Sequence, residues 1–266
     1  MAVALRGETS AAAELGIMEG YKPDTYGNGI SDVYDAWYND ISDISSTVRY
    51  LVDLASTGPA LELGIGTGRI ARPLAVAGVD VWGVDASEKM VALLQNQAPE
   101  LAAKTCLGDM AAMVLPANFP ENFEAIFITF NTLCNLTTAA EQQACIRTCG
   151  ELLSLGGHVV IECFVPAEIS DPTRSLAVKS VELDRVILTA SVVDPVEQSI
   201  VGQHIEITES GGVRLRPFVL RYLTPSQLDG MAVRAGLVLV SRYADWNGIK
   251  FTDHSPVHVS TYARSQ

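Results

Sequence analysis

The stretch Pro59–Asp85 constrains this chain more than any other. It reads P-A-L-E-L-G-I-G-T-G-R-I-A-R-P-L-A-V-A-G-V-D-V-W-G-V-D. A short apolar run closes on Leu61, Glu62 and Leu63. Gly64, Gly66 and Gly68 then stand at every second position, and Ile70, Leu74 and Ala77 follow at helical spacing. An apolar run, then glycines, then a helical period predicts strand, turn and helix. Glycine at such a turn admits positive φ and lets backbone approach a ligand with no Cβ in the way. A second strand, Val79–Val84, ends on Asp85 and so places a carboxylate at a strand's carboxyl end. In an open parallel sheet, that edge is where ligands bind.

The remaining chain repeats the alternation. Ser45–Leu54 reads as a helix leading into the first strand. Ser87–Gln97 is a helix with an N-cap serine, Glu88 in its first turn and Met90, Val91 and Leu94 as its apolar positions. Ala102–Leu107 is a short strand ending in Gly108-Asp109-Met110, and Phe123–Phe130 is an almost unbroken apolar run, as a central parallel strand requires. Thr138–Leu155 is predicted helical and stopped by Gly156-Gly157, with His158–Phe164 as the fifth strand. Five such alternations imply a doubly wound, mostly parallel sheet. After Pro166 the pattern changes. Val178–Val193, Ser199–Glu209 and Val213–Tyr222 read as extended strands of an antiparallel insertion, positioned to cap the sheet edge or to pair across a homodimer. Ile205 and Ile207 alternate there with His204, Glu206 and Thr208. A helix at Pro225–Ala235 and strands at Leu237–Tyr243 and Val257–Tyr262 close the chain. Ahead of the first strand, Met1–Gly20 is Ala-rich and weakly helical, and Tyr21–Ile30 reads as a loop. Asp32–Asp40 reads as a short helix with Tyr34 and Tyr38 on one face. The expected organisation is a lid segment over 1–44, a main domain over 45–165 and 223–266, and an insertion over 166–222.

Composition narrows the partners. Of 266 residues, 31 are acidic and 18 basic, a formal net charge of −13. That field repels phosphate backbones and anionic lipid, which argues against nucleic acid or a membrane surface and leaves a small molecule as the expected partner. No apolar run has the length of a membrane span, and no signal peptide is visible. The five cysteines are odd in number and form no C-x-x-C pair, which fits a reducing, cytoplasmic setting.

The glycine turn can be weighed against three ligand classes. A dinucleotide site expects G-x-G-x-x-G, whereas this turn is G-x-G-x-G. A P-loop expects a G-K-[ST] ending, which is missing. Glu62, at the end of the strand, would oppose a pyrophosphate and welcome a cation. An adenosine bearing a sulfonium and an amino acid is such a cation, and Asp85 suits the two hydroxyls of its ribose.

E-L-G-I-G-T-G-R, the acid at Asp85, G-D-M at 108–110 and the strand H-V-V-I-E-C-F after G-G resemble the motifs of class I S-adenosylmethionine-dependent methyltransferases. The likeness runs over roughly Tyr34–Phe164. The Y-D-A-W-Y lead segment and the antiparallel insertion resemble the small-molecule branch, which includes antibiotic-sugar N-methyltransferases and glycine N-methyltransferase-like enzymes. The resemblance implies a Rossmann-like seven-stranded fold with the antiparallel insertion as cap. It also implies methyl transfer from S-adenosyl-L-methionine, releasing S-adenosyl-L-homocysteine, to a nitrogen, oxygen or carbon of a small molecule. By the same carry-over Glu62 would orient the methionine amino group, with Gly64, Gly66 and Gly68 giving backbone groups and clearance. Asp85 would take the ribose hydroxyls, Ala86 and Met90 would border the adenine, and Asp109 and Met110 would hold its edge. Asn131 would lie near the methionine portion. The plainer roles for Asp109 and Asn131 are a cap and a turn.

The acceptor side is less defined. Metal-dependent relatives carry acidic ligands after the fourth strand, where this chain has Asn131–Asn135 without a carboxylate, so no metal is expected. No N/D-P-P-Y segment follows that strand. Antibiotic-sugar relatives have a histidine in that loop, and Asn135 is the nearest match here. Tyr38, Asn135 and His204 are therefore the candidate catalytic residues, although a lone histidine on the polar face of a strand is most simply exposed. An NAD(P)-dependent oxidoreductase and a non-catalytic adenosylmethionine-binding protein are the alternatives.

Overall fold

The computed structural model describes residues 18–38, 43–55, 58–167 and 170–264. Most of Met1–Gly20, and the end of the helix expected over Asp32–Asp40, lie outside the described residues. In chain order come helices α1 (Thr25–Ile30), α2 (Tyr34–Tyr38) and α3 (Ile44–Ala55), then strand β1 (Pro59–Leu63) and α4 (Ala71–Val76). β2 (Asp80–Asp85), α5 (Glu88–Gln97), α6 (Pro99–Ala102), β3 (Thr105–Leu107) and β4 (Phe123–Ile128) follow. A 3₁₀ turn at Thr132–Asn135 leads to α7 (Ala139–Leu152) and β5 (Leu153–Phe164). Next are β6 (Thr173–Val181), β7 (Arg185–Asp194), β8 (Ser199–Thr208) and β9 (Gly212–Arg221), and finally α8 (Pro225–Arg234), β10 (Leu237–Tyr243) and β11 (Val257–Arg264).

Seven strands form one sheet in the order β10-β11-β5-β4-β1-β2-β3. β5 through β3 run parallel, and β11 is antiparallel to both of its neighbours. Both faces of this sheet are buried. Leu61, Ile126, Ile128 and Val159 belong to one core with α7 and α8, whereas Ala60, Ala125, Phe127 and Val160 belong to a second with α3, α4 and α5. Strand residues pointing alternately into two cores explain why β4 reads as a continuous apolar run. This is the expected Rossmann-like sheet, and β6–β9 form the expected antiparallel companion.

The helix ends are chemically specified. Ser87 caps α5 by accepting from Met90 N, and Thr138 and Thr224 form capping boxes with Glu141 and Gln227. Four readings of the sequence are corrected. Residues 25–30, read as a loop, form a helical turn, which Asn28 Nδ2 braces by donating to Asp24 Oδ2 at 2.8 Å. Ala102 belongs to α6 rather than to a strand, because Pro99 opens a helical turn there. Gly156-Gly157 does not end a helix but lies within β5, where a Cβ on Gly157 would meet Glu124 O at 2.8 Å. Val178–Val193 is not one strand but a hairpin. Its turn is built from charge rather than glycine, with Glu182 N donating to Arg185 O and their side chains paired at 2.7 Å.

Candidate active site

At the carboxyl edge of β1–β4 lies a partly open pocket with a cavity volume of about 100 Å³. Its floor is the glycine turn. Gly64, Gly66 and Gly68 have φ of +75°, +57° and +80°. A Cβ on Gly64 would meet Thr132 Cγ2 at 2.4 Å, and one on Gly68 would meet Leu94 Cδ1 at 2.6 Å. Asp85 closes the turn: Gly66 N donates to its Oδ2 at 2.7 Å and Ser87 N to its Oδ1 at 2.8 Å. Burial pushes its carboxyl up, against these two N–H donors. A carboxylate offers about four acceptor directions, so Asp85 keeps capacity for further donors.

Glu62 lies beneath the turn, 2% exposed, and its Oε2 has no hydrogen-bond partner. Burial pushes its carboxyl well above the ordinary range; Arg69 opposes this and Asp85 adds to it. A backbone hydrogen bond from Ala71 also favours the charged form, and the unpartnered Oε2 keeps capacity for a further donor. Across the pocket, Asp109 Oδ1 accepts from Ala111 N at 2.8 Å and so caps its own turn while lining the cavity. Ala86, Met90 and Met110 line the same wall.

The exit of β4 is strained. Phe130 and Asn131 have φ of +56° and +64°, rare for residues with side chains. Glu162 holds them by accepting from Phe130 N at 2.7 Å with its Oε2 and from Asn131 N at 3.2 Å with its backbone oxygen. Asn131 Oδ1 accepts from Phe164 N at 2.6 Å. Its side chain is thus engaged with β5, and Asn131 is not among the residues lining the pocket. The kink instead turns Thr132 and Asn135 to the cavity, where Asn135 Oδ1 is buried without a partner.

The cover is aromatic. Tyr26, Gly27 and Tyr34 line the pocket from α1 and α2. Tyr26 Oη donates to Tyr38 Oη at 3.4 Å, and the Tyr38 ring lies 5.0 Å from Tyr34 and 5.6 Å from Phe130. Burial pushes the Tyr34 phenol up to about 12, so it stays protonated at neutral pH. Arg69 stacks on Phe130 at 4.3 Å, and Lys179 Nζ stands 5.1 Å from the Tyr38 ring. His204 lies farther out. Its Nδ1 is 2.9 Å from Thr189 Oγ1, and its ring packs between Trp37 and Phe218. Burial, then the charges of Lys179 and Arg216, push its pKa down to about 4, which leaves the ring neutral.

The structure therefore brings Gly64, Gly66, Asp85, Ala86, Met90, Asp109, Met110 and Asn135 to one cavity. Glu62 and Gly68 support it from below, Tyr38 stands one helical turn from Tyr34, and His204 packs on the cover. Sequence reasoning missed Tyr26, Gly27 and Ser87. The signal available was Gly27: a Cβ there would meet Ser87 Cβ at 2.5 Å, so this glycine marks a close approach and not a flexible loop.

A family model described as a methyltransferase domain matches residues 60–157. The CcbJ methyltransferase of Streptomyces caelestis is 38% identical in sequence; the match covers 92% of this chain and all of that one, with a TM-score of 0.85. The cypemycin N-terminal methyltransferase of a Streptomyces species is 25% identical over 199 residues, 73% of this chain and 78% of the relative. An uncharacterized methyltransferase of Bacillus cytotoxicus is 32% identical over 124 residues, 46% of this chain and 55% of the relative's length. The amino pentose methyltransferase CalS10 of Micromonospora echinaspora, solved with S-adenosylmethionine bound, shares the fold at 19% identity. That match has a TM-score of 0.66 and covers 88% of this chain and 97% of the other.

Proposed function

This chain belongs to the class I S-adenosylmethionine-dependent methyltransferases, and from that premise we propose that its acceptor is an amine nitrogen of a small molecule. The bound cofactor supplies an electrophilic sulfonium methyl, which a nucleophile takes by in-line displacement, and the enzyme's part is alignment. Two carboxyls support this reading: the unpartnered Glu62 Oε2 would accept from the ammonium group, and Asp85 would accept from the ribose hydroxyls. Gly64 and Gly66 would leave the clearance, and Asp109 and Met110, which line the same pocket, would hold the adenine edge.

One observation carries the amine reading. Asn135 Oδ1 is a buried acceptor with no donor, in the same cavity as Tyr26 and Tyr34. An amine that gives one N–H to this oxygen keeps its lone pair free for the methyl. The buried aromatic wall favours the neutral amine by desolvation, and its π-faces favour the cationic product. An alcohol would need its proton removed. The phenol of Tyr34 is held protonated, and the imidazole of His204 is packed on the cover against Thr189 and Trp37. The relative named for N-terminal methylation supports a nitrogen acceptor. The five cysteines, all unpaired, support a reducing cytoplasmic setting.

The test is transfer of labelled methyl from S-adenosylmethionine to paired small amines and alcohols of matched skeleton. Label is expected on nitrogen, with a rate that rises with pH along the acceptor's own titration. Asn135→Ala is expected to lose turnover about 10–100-fold while keeping S-adenosylhomocysteine affinity. Labelling of alcohols and not amines would overturn the reading.

A further inference from the structure

The tyrosines that cover the pocket sit on two helical turns of six and five residues, too short to be stable alone. Something outside them must hold them in place. One anchor is local to the pocket: Ser87 Oγ donates to Asn28 Oδ1 at 2.7 Å, while Ser87 N donates to Asp85. The other comes from the far sheet. Arg216, on β9, is 2% exposed. Its Nη1 donates to Gly29 O at 2.7 Å and to Asp32 Oδ1 at 2.5 Å, and its Nη2 to Asp32 Oδ2 at 3.1 Å and Glu206 Oε2 at 2.8 Å. The guanidinium also lies 5.4 Å from the Trp37 ring centroid. Gly29 lies in the last turn of α1 and Asp32 links α1 to α2, so one buried cation grips the segment between Tyr26 and Tyr34.

We propose that Arg216 is a positioning residue of the methyltransferase site, holding the tyrosine-bearing segment Thr25–Tyr38 over the pocket through Asp32 and Gly29. The four-stranded sheet then supports the cover of the site from behind without lining the pocket. A guanidinium suits this task because its planar fork binds a carboxylate bidentately and still has donors for a carbonyl and a second acid. Removing the cation would strip both acids of their shared partner, leaving Glu206 to Arg185, at 3.3 Å, and Asp32 to the rim. Arg214 also reaches Asp32, at 2.7 Å, but it is exposed on the rim and contributes little. The proposal rests on the pocket being the adenosylmethionine site and is indifferent to which acceptor atom is methylated.

The test compares Arg216→Gln, Arg216→Lys and Arg214→Gln, each shown by circular dichroism to be folded at the assay temperature. Two readouts are taken: calorimetric titration with S-adenosylhomocysteine, and ultraviolet titration of the tyrosines. In the parent protein the buried phenols of Tyr26 and Tyr34 ionise well above the ordinary tyrosine range. Arg216→Gln is expected to weaken S-adenosylhomocysteine about tenfold and to bring both phenols back toward about pH 10. Arg216→Lys should recover part of each effect, and Arg214→Gln should change affinity less than about twofold. A folded Arg216→Gln with parental affinity and parental tyrosine titration overturns the proposal, as does Arg214→Gln behaving like Arg216→Gln. Should Arg216→Gln fail to fold, Asp32→Asn decides. It removes the charge at the exposed end of the grip, and a shift of about two- to threefold in the same direction is expected. Parental values in both readouts would sink the idea.

Discussion

The floor and the cover of the pocket are built in opposite ways. The floor is made from neighbours in the chain: Glu62, Gly64, Gly66 and Asp85 lie within one strand–turn–helix–strand unit, and Asp85 bonds Gly66 across 19 residues. The cover is made from distant parts, and the ion pair that holds it joins Asp32 to Arg216 across 184 residues. The floor is polar, with the Asp85 carboxyl held by two backbone N–H groups and one oxygen of Glu62 left without a partner. The cover is aromatic, with Tyr26, Tyr34 and Phe130 each in contact with Tyr38. A cofactor with fixed groups suits local, rigid recognition by main chain. An acceptor suits a wall whose side chains can change while the floor stays as it is.

Four substitutions sharpen this contrast, in descending order of their effect on the pocket. Asp85→Ala removes both the proposed acceptor for the ribose hydroxyls and the bond that closes the glycine turn. S-Adenosylhomocysteine affinity should fall at least about a hundredfold, as lost charge-assisted bonds require, and unchanged binding by calorimetry would detach Asp85 from the site. Gly27→Ala tests where floor and cover meet. Its Cβ would stand 2.5 Å from Ser87 Cβ, and the resulting shift of α1 should cost about 1–3 kcal/mol in urea unfolding and weaken the cofactor as well. If only stability falls, α1 is scaffold and no part of the pocket.

Tyr38→Phe keeps the ring against Phe130 and removes the hydroxyl that meets Tyr26. Turnover should fall by about three- to tenfold with cofactor affinity held, whereas equal loss in both would make the residue a packing element. His258→Gln touches neither region. His258 is fully buried, its Nε2 has no partner, and burial followed by Arg242 pushes its pKa down to about 4. Because the unfolded chain binds this proton first, stability is complete above the ordinary value of about 6.5 and is lost as pH falls toward 4. The loss is on the order of 3 kcal/mol at most. Melting midpoints of His258→Gln should depend less steeply on pH over that window, and an identical slope would remove His258 as a cause.

What was legible in the sequence follows the same division. The alternation of apolar runs with helical periods predicts the parallel sheet, because strand and helix are short-range patterns. The serine cap at Ser87 was legible for the same reason. The hairpin at Glu182–Arg185 was not, since an ion pair closes it without glycine or proline.

The chain by itself determined the floor. Three glycines, Glu62 and Asp85 specify it through backbone conformation and through charge at a strand end, and both are properties of adjacent residues. Only the tertiary structure decided the cover. It turned Asn131 toward β5 and Asn135 into the cavity, packed His204 away against Trp37, and placed Tyr26 opposite the glycine turn. The reason is physical. A buried arginine meeting two acids from separate elements is a contact of folded space, and no local pattern encodes which acids those will be.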